Sequence, residues 1–171
     1  MQIRTILTSA CGFALAASGL AHAANLSNAD KQFLMTAAKT DMTQAHEAQM
    51  AENQATRNDV KTLAKSLDQD HTGSYEQLTA LAAKTGVDIP KGINTARIPA
   101  VAQLTHAKGS AFDSAFTRDA IAAHRSRLAM FKREAEHGQN ADVKAYAAKM
   151  IPVAEKHLEE AKACAKPVKH S

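Results

Sequence analysis

Apolar and small residues recur along the chain at steps of three and four, in four separate runs. Val60, Ala64, Leu67, His71, Tyr75, Leu78 and Ala82 form one stripe, and Ile121, His124, Leu128, Phe131 and Ala135 form another. Val143, Ala147, Met150, Ala154, His157, Ala161 and Cys164 form a third. This period is one face of an α-helix, so each run predicts an amphipathic helix with its stripe against a core. The earliest run fits two registers, either Leu34, Ala38, Asp41, Ala45 and Ala48 or Met35, Ala38, Met42 and Ala45.

Punctuation sets the boundaries. Ser27 and Asp30 have the spacing of a capping box and open a block running to about Ala55. Asn58 is placed to cap a second block, which stops at Gly86. Ser110 with Asp113 repeats the capping spacing and opens a third block that ends before Gly138. Asn140 opens a fourth, which fades near Cys164 ahead of Pro167. Pro152 lies inside that last stripe, where it removes the hydrogen bond to the Ala148 carbonyl and predicts a local kink. Each block spans roughly 40 Å at 1.5 Å per residue.

Between the second and third blocks lies the stretch 86–109, with Pro90, Gly92 and Pro99. It is too long for a turn and suits a crossover along the bundle, with a short helix over Pro99 to Ala107. An internal repeat agrees: Asp59-Val60-Lys61 recurs as Asp142-Val143-Lys144, and at the same offset Phe33 meets Phe116, Ala37 meets Ala120 and Ala64 meets Ala147. The predicted fold is therefore all-α, a ferritin-like four-helix bundle of two αα-hairpins joined by a long crossover. A bundle core over 28–164 and a flexible tail over 165–171 make up a single domain.

Composition adds a destination. Of 171 residues, 37 are alanine and 4% are aromatic, a balance that favours helix over sheet. Residues 1–23 combine Arg4, an apolar run and the peptidase-type sequence Ala21-His22-Ala23, which predicts a signal peptide and export to the bacterial periplasm or outer membrane. Cleavage would remove Cys11 and leave Cys164 without an intramolecular partner, and would leave no transmembrane span. The remaining charge is mildly positive, too little to argue for a nucleic-acid partner. An envelope protein or a metal ion is the partner to expect.

The candidate chemistry lies on the seams. His71, His124 and His157 occupy stripes of three different helices, and reflecting the hairpins places Asp41 level with His71 and His124, with His157 about one turn away. Asp68 stands three residues before His71, reminiscent of the Glu-x-x-His of di-iron bundles. No Glu-x-x-His occurs and carboxylates are few, so an imidazole-rich site would suit zinc or copper better than iron. The competing reading is a polar network in which the histidines bond to Asp41, Asp68, Asp70 or a tyrosine, with no cofactor. His46, His106, His137 and His170 read as surface or terminal residues, and Met35, Met42, Met130 and Met150 as gap-filling core. No catalytic constellation is present, so the reading leans against an enzyme.

The order of several short motifs resembles a known family. They are Phe33 to Ala38, Val60-Lys-x-x-Ala64 followed by Asp70-His71, the exit Gly86-Val-Asp-Ile-Pro90, Ala111-Phe112-Asp113 through to His124, and Ala148 through Pro152 to His157-Leu158. Together they are similar to the bacterial exported domain of unknown function 4142 family. The resemblance implies a ferritin-like bundle, export to the envelope and no established activity. Members often carry a Glu midway along the first helix where this chain has Gln44, with Glu47 one turn on, and tend to place Met where it has Leu67. The expected function is a non-enzymatic envelope protein acting through binding or stress protection. Alternatives are a metal-binding or redox protein of the same fold and a periplasmic holdase-like chaperone.

Overall fold

Ser27 is extended, and its hydroxyl accepts from the Asp30 N–H (3.0 Å) while the Asp30 carboxylate accepts from the Ser27 N–H (3.1 Å). This box starts α1 (Asn28–Gln54) where the sequence places it. The structure, a computed structural model, describes residues 26–166; the predicted signal peptide and residues 167–171 of the predicted tail lie outside them. α2 (Asn58–Thr85) ends on Gly86, whose φ of 70° is the left-handed value a helix-terminating glycine supplies. A 3-10 turn, Thr95–Arg97, leads into the short α3 (Ile98–His106), close to its expected span. α4 (Gly109–His137) and α5 (Ala141–Cys164) complete the bundle. α1 packs along α2 and α4 along α5, and the two hairpins meet through α1 against α4 and α2 against α5. This is the ferritin-like arrangement of two hairpins with a crossover. No helix among the described residues is long and apolar enough to cross a membrane.

The packed faces settle the registers. In α1 the buried stripe runs through Leu34, Ala38, Asp41 and Ala48, whereas Met35 and Met42 are half-buried. From Ala120 onward the buried positions of α4 are Ala120, His124, Arg127, Phe131 and Glu134, so Leu128 and Ala135 lie at the edge of the stripe. In α2 the position after His71 is taken by Ser74 rather than Tyr75. α5 continues unbroken through Pro152, which lies on its exposed side.

Two helix starts differ from expectation. Asn140 caps α5 as predicted, accepting from the N–H groups of Asp142 and Val143. By contrast, Asn58 is already inside α2, whose N-cap Arg57 has no side-chain cap, and α4 starts at Gly109 after an uncapped Lys108. Asp113 is used elsewhere. It reaches the α1–α2 turn and accepts from the Thr56 N–H (3.0 Å), the Thr56 hydroxyl (2.5 Å) and the Arg57 N–H (3.1 Å). The 83-residue repeat has a matching contact: Asp30, the counterpart of Asp113, accepts from the Gln139 N–H (2.9 Å) in the α4–α5 turn. Each hairpin thus clasps the other's turn. At the α4–α5 turn Gly138 is required by space, since a Cβ there would stand 2.6 Å from the Glu134 carbonyl oxygen.

The same end holds a second acid. Burial, with the neighbouring Asp30 carboxylate, raises the Glu134 carboxyl from 4.5 to about 7. The fold binds that proton more tightly than the unfolded chain does, so its contribution is full below about pH 4.5 and is lost as pH rises through 7. Glu134→Gln is therefore expected to raise the melting temperature at pH 8 and to change it little at pH 5. For the clasp, Asp113→Ala should cost about 2 kcal/mol in chemical denaturation, since it strands backbone donors. Ser110→Ala, at the exposed position expected to cap α4, should cost less than about 0.5 kcal/mol.

Candidate metal centre

The core is in two apolar halves. One holds Leu63, Leu67, Phe112 and Phe116 among others, and the other holds Phe33, Leu34, Leu78, Phe131 and Tyr146. Between them every long helix contributes polar side chains at one level: Asp41 from α1, His71 and Ser74 from α2, His124 and Arg127 from α4, and His157 from α5. All are buried; Asp41 and His124 have no exposed surface at all.

Asp41 organises this layer. Its Oδ1 accepts from His71 Nδ1–H (2.8 Å) and lies 2.7 Å from Arg127 Nη1, while Oδ2 accepts from the Ser74 hydroxyl (2.7 Å). Having donated its proton, Ser74 Oγ accepts from Arg127 Nη2 (3.0 Å) and from the Tyr146 hydroxyl (2.7 Å). The guanidinium also sits 4.5 Å over the Phe131 ring. Burial pushes the Asp41 carboxyl up, but Arg127, His71 and Ser74 outweigh it and hold the group ionised.

These commitments assign the imidazole protons. His71 Nδ1 faces a carboxylate and His124 Nδ1 faces the Ala120 carbonyl (2.8 Å), two groups that only accept. Both Nδ1 atoms therefore carry the hydrogen. Burial brings His71 down to about 4 despite its bond to Asp41, and burial plus the neighbouring His71 brings His124 down to about 3. At neutral pH both rings are uncharged, and both Nε2 atoms present lone pairs. Those two Nε2 atoms face each other at 3.3 Å. The third ring, His157, gives its Nε2–H to Asp70 (2.8 Å), which leaves Nδ1 as its acceptor nitrogen. Burial lowers this histidine too, against the pull of Asp70.

One ligand-capable atom from each of His71, His124 and His157 lies within 4.8 Å of the others. His157 thus shares the layer instead of sitting a turn away, its ring 5.0 Å from that of His124. Asp41 is present, behind His71. Asp68 is not brought in: it lies half-buried at the α1–α2 edge, where it accepts from Gln49 (3.0 Å). Its place behind a histidine is taken by Asp70. The tyrosine the sequence allows in this network is Tyr146, bonded to Ser74; Arg127 and Ser74 carry no sequence signal beyond lying four before Phe131 and three after His71. Gln44 and Glu47 are bonded to each other (2.6 Å), and Glu47 accepts from Arg97 (2.9 Å) of the crossover, so this pair fastens the crossover to α1.

With this geometry in view, sequence and fold comparisons place the chain. It belongs to the family described as domain of unknown function 4142, whose pattern matches residues 15–164. None of the curated proteins is significantly similar in sequence. In fold it is similar to a DUF305 fragment from Deinococcus radiodurans, at 14% identity with a TM-score of 0.72 over 81% of this chain and 95% of that one. It is also similar to CopM in a copper(II)-bound form, at 17% identity with a TM-score of 0.67 over 80% of this chain and 95% of that one. A conserved hypothetical protein from Mycobacterium tuberculosis aligns at 16% identity with a TM-score of 0.65 over 84% of this chain and 96% of that one.

The layer has a defined pH signature. An unfolded chain binds protons at histidine below about pH 6.5, whereas folded His71 and His124 do so only near 4 and 3. Their contribution to stability is full above pH 6.5 and declines as pH falls, by up to about 1.4 kcal/mol per unit each. The stability difference between the protein and His124→Gln should shrink accordingly between pH 6.5 and 4 in denaturant titrations. Asp41→Asn leaves Arg127 buried without its anion and should cost about 3–5 kcal/mol.

Proposed function

We propose that this protein is a non-enzymatic metal-binding module of the bacterial envelope, whose histidine layer holds a copper-class or zinc ion. The observation that carries the reading is the approach of His71 Nε2 to His124 Nε2 at 3.3 Å, two atoms left as lone pairs when each Nδ1 holds the hydrogen against Asp41 and the Ala120 carbonyl. Two neutral acceptors in contact repel unless a cation lies between, and a buried histidine network selected for bonding alone would pair a donor with an acceptor. Two nitrogens on one tetrahedral ion at 2.0–2.1 Å stand roughly 3.3 Å apart, the spacing found here.

The donor set narrows the ion. His71 and His124 would bind through Nε2 and His157 through Nδ1, with carboxylates behind two rings as orienting partners. Three neutral imidazoles with no carboxylate among the ligands suit copper or zinc, and not the carboxylate-rich di-iron chemistry of other ferritin-like bundles. The fold-level likeness to CopM, known in copper(II)- and silver-bound forms, supports the copper side of this choice. The Ala-x-Ala sequence near the N-terminus supports placing the protein outside the cytoplasm, where binding would serve to sequester or carry metal.

A second reading has its own observation. Asp41, Ser74, Arg127 and Tyr146 close a bonded circuit without any ion, so the layer could serve packing alone. Untagged protein titrated separately with copper, silver and zinc separates the two. One ion per chain is expected, with a rise in unfolding free energy of about 2.7 kcal/mol at a hundredfold excess over Kd. His71→Ala, His124→Ala and His157→Ala should each weaken binding at least tenfold. An unchanged melting curve with all three metals would falsify the metal reading.

A further inference from the structure

The three histidines are 2%, 0% and 1% exposed, so an ion reaching them must pass through the protein. A cavity of about 330 Å³ between α1 and α2 is lined by both Asp41 and His71, and so touches the layer from outside. A larger one of about 710 Å³, between α1 and α4, is lined by Arg97, Arg127 and Arg133 and by none of the three histidines. The smaller cavity is lined by no Lys or Arg and has a carboxylate, Asp41, in its wall. Its other lining residues include Met42, half-buried, and His46, exposed. They are four apart on α1, hence on one face, and His46 lies roughly 7.5 Å further along the helix than Asp41. At the rim Ile93 comes from the crossover, which is tied down by the Tyr75 hydroxyl donating to the Pro90 carbonyl (3.1 Å).

We propose that this cleft is the loading port of the histidine layer, in which Met42 and His46 capture a soft monovalent cation and hand it to His71. The inference rests on the metal reading and adds a route and a charge state to it. A thioether and an imidazole together favour copper(I) and silver(I) over hard cations. His71 is the ring common to cleft and triad, so it is the point of transfer. Lining selects the entrance: the cleft reaches His71 directly and holds no Lys or Arg, whereas the larger cavity is lined by three arginines and by none of the three histidines.

Copper(I) supplied as a coloured chelator complex lets rate and affinity be read in one experiment. The Met42→Leu/His46→Ala double variant is expected to load at least tenfold more slowly, with an equilibrium affinity within about threefold of the parent. Arg133→Ala, in the other cavity, should load at the parental rate. Unchanged loading in the double variant overturns the port, and so does an equal loss of rate and affinity, which would make the two residues part of the final site. A readout independent of the triad distinguishes this from failure of the metal reading. In His124→Ala, silver(I) should still shift the Met42 methyl and His46 ring resonances. If those resonances stay put, the port is overturned even where the triad binds metal.

Discussion

An ionised carboxylate at the middle of a helical bundle must be met by donors from several directions, and Asp41 is met by two groups from α2 and one from α4. Alanine is the commonest buried residue on the seams around it, with Ala37, Ala38, Ala48, Ala51, Ala64, Ala120, Ala147, Ala154 and Ala161 all buried. Small side chains let long helices approach closely, but they present few knobs to resist sliding. A shift of one residue, about 1.5 Å, changes alanine packing little and breaks every bond to Asp41. The polar layer therefore adds a register constraint to that of the large side chains in the two apolar halves, as a single polar layer does in coiled coils. The histidines inherit their positions from that constraint.

The layer's electrostatics run in one sequence. Arg127 keeps Asp41 ionised, Asp41 fixes the hydrogen of His71 on Nδ1, and this turns Nε2 of His71 toward His124 as a lone pair. His124 is turned the same way by its own helix, through the Ala120 carbonyl. The facing of the two lone pairs is thus set by bonds made away from them. A bundle with the same three histidines but without Arg127 or Ala120's free carbonyl lone pair would not force the two acceptors together.

Much of this was legible in the sequence, and what was missed has a physical cause. The four helices, the crossover and its short helix, and the meeting of Asp41 with the seam histidines follow from periodicity and punctuation, because those features depend on local spacing. Arg127 and Ser74 look like the edge of a core stripe because they are charged or hydroxyl-bearing, and Glu134 reads with Glu136 as part of a solvated charged face although it is buried. Apolar spacing selects the neighbouring Leu128, Tyr75 and Ala135 instead. Asp68 and Asp70 differ by two residues and so face different neighbours, α1 for one and α5 for the other. Only the packed structure decides which of them backs a histidine. Asp113 has the spacing of a local cap and bonds a turn 56 and 57 residues away, since tertiary partners outbid the local one.

The reciprocal clasps, Asp113 on the first turn and Asp30 on the second, have a consequence for how the chain assembles. They are related by the internal repeat, and so amount to an isologous contact between two halves of one molecule. Neither hairpin can finish its own turn: each leaves backbone donors bare until its twin arrives. The first half to leave the ribosome is therefore an open-ended hairpin, and closure of both ends is a single cooperative event. The same complementarity gives two copies of one half a ready way to pair with each other, which makes the 23-residue link between α2 and α4 the element that keeps the exchange within one chain.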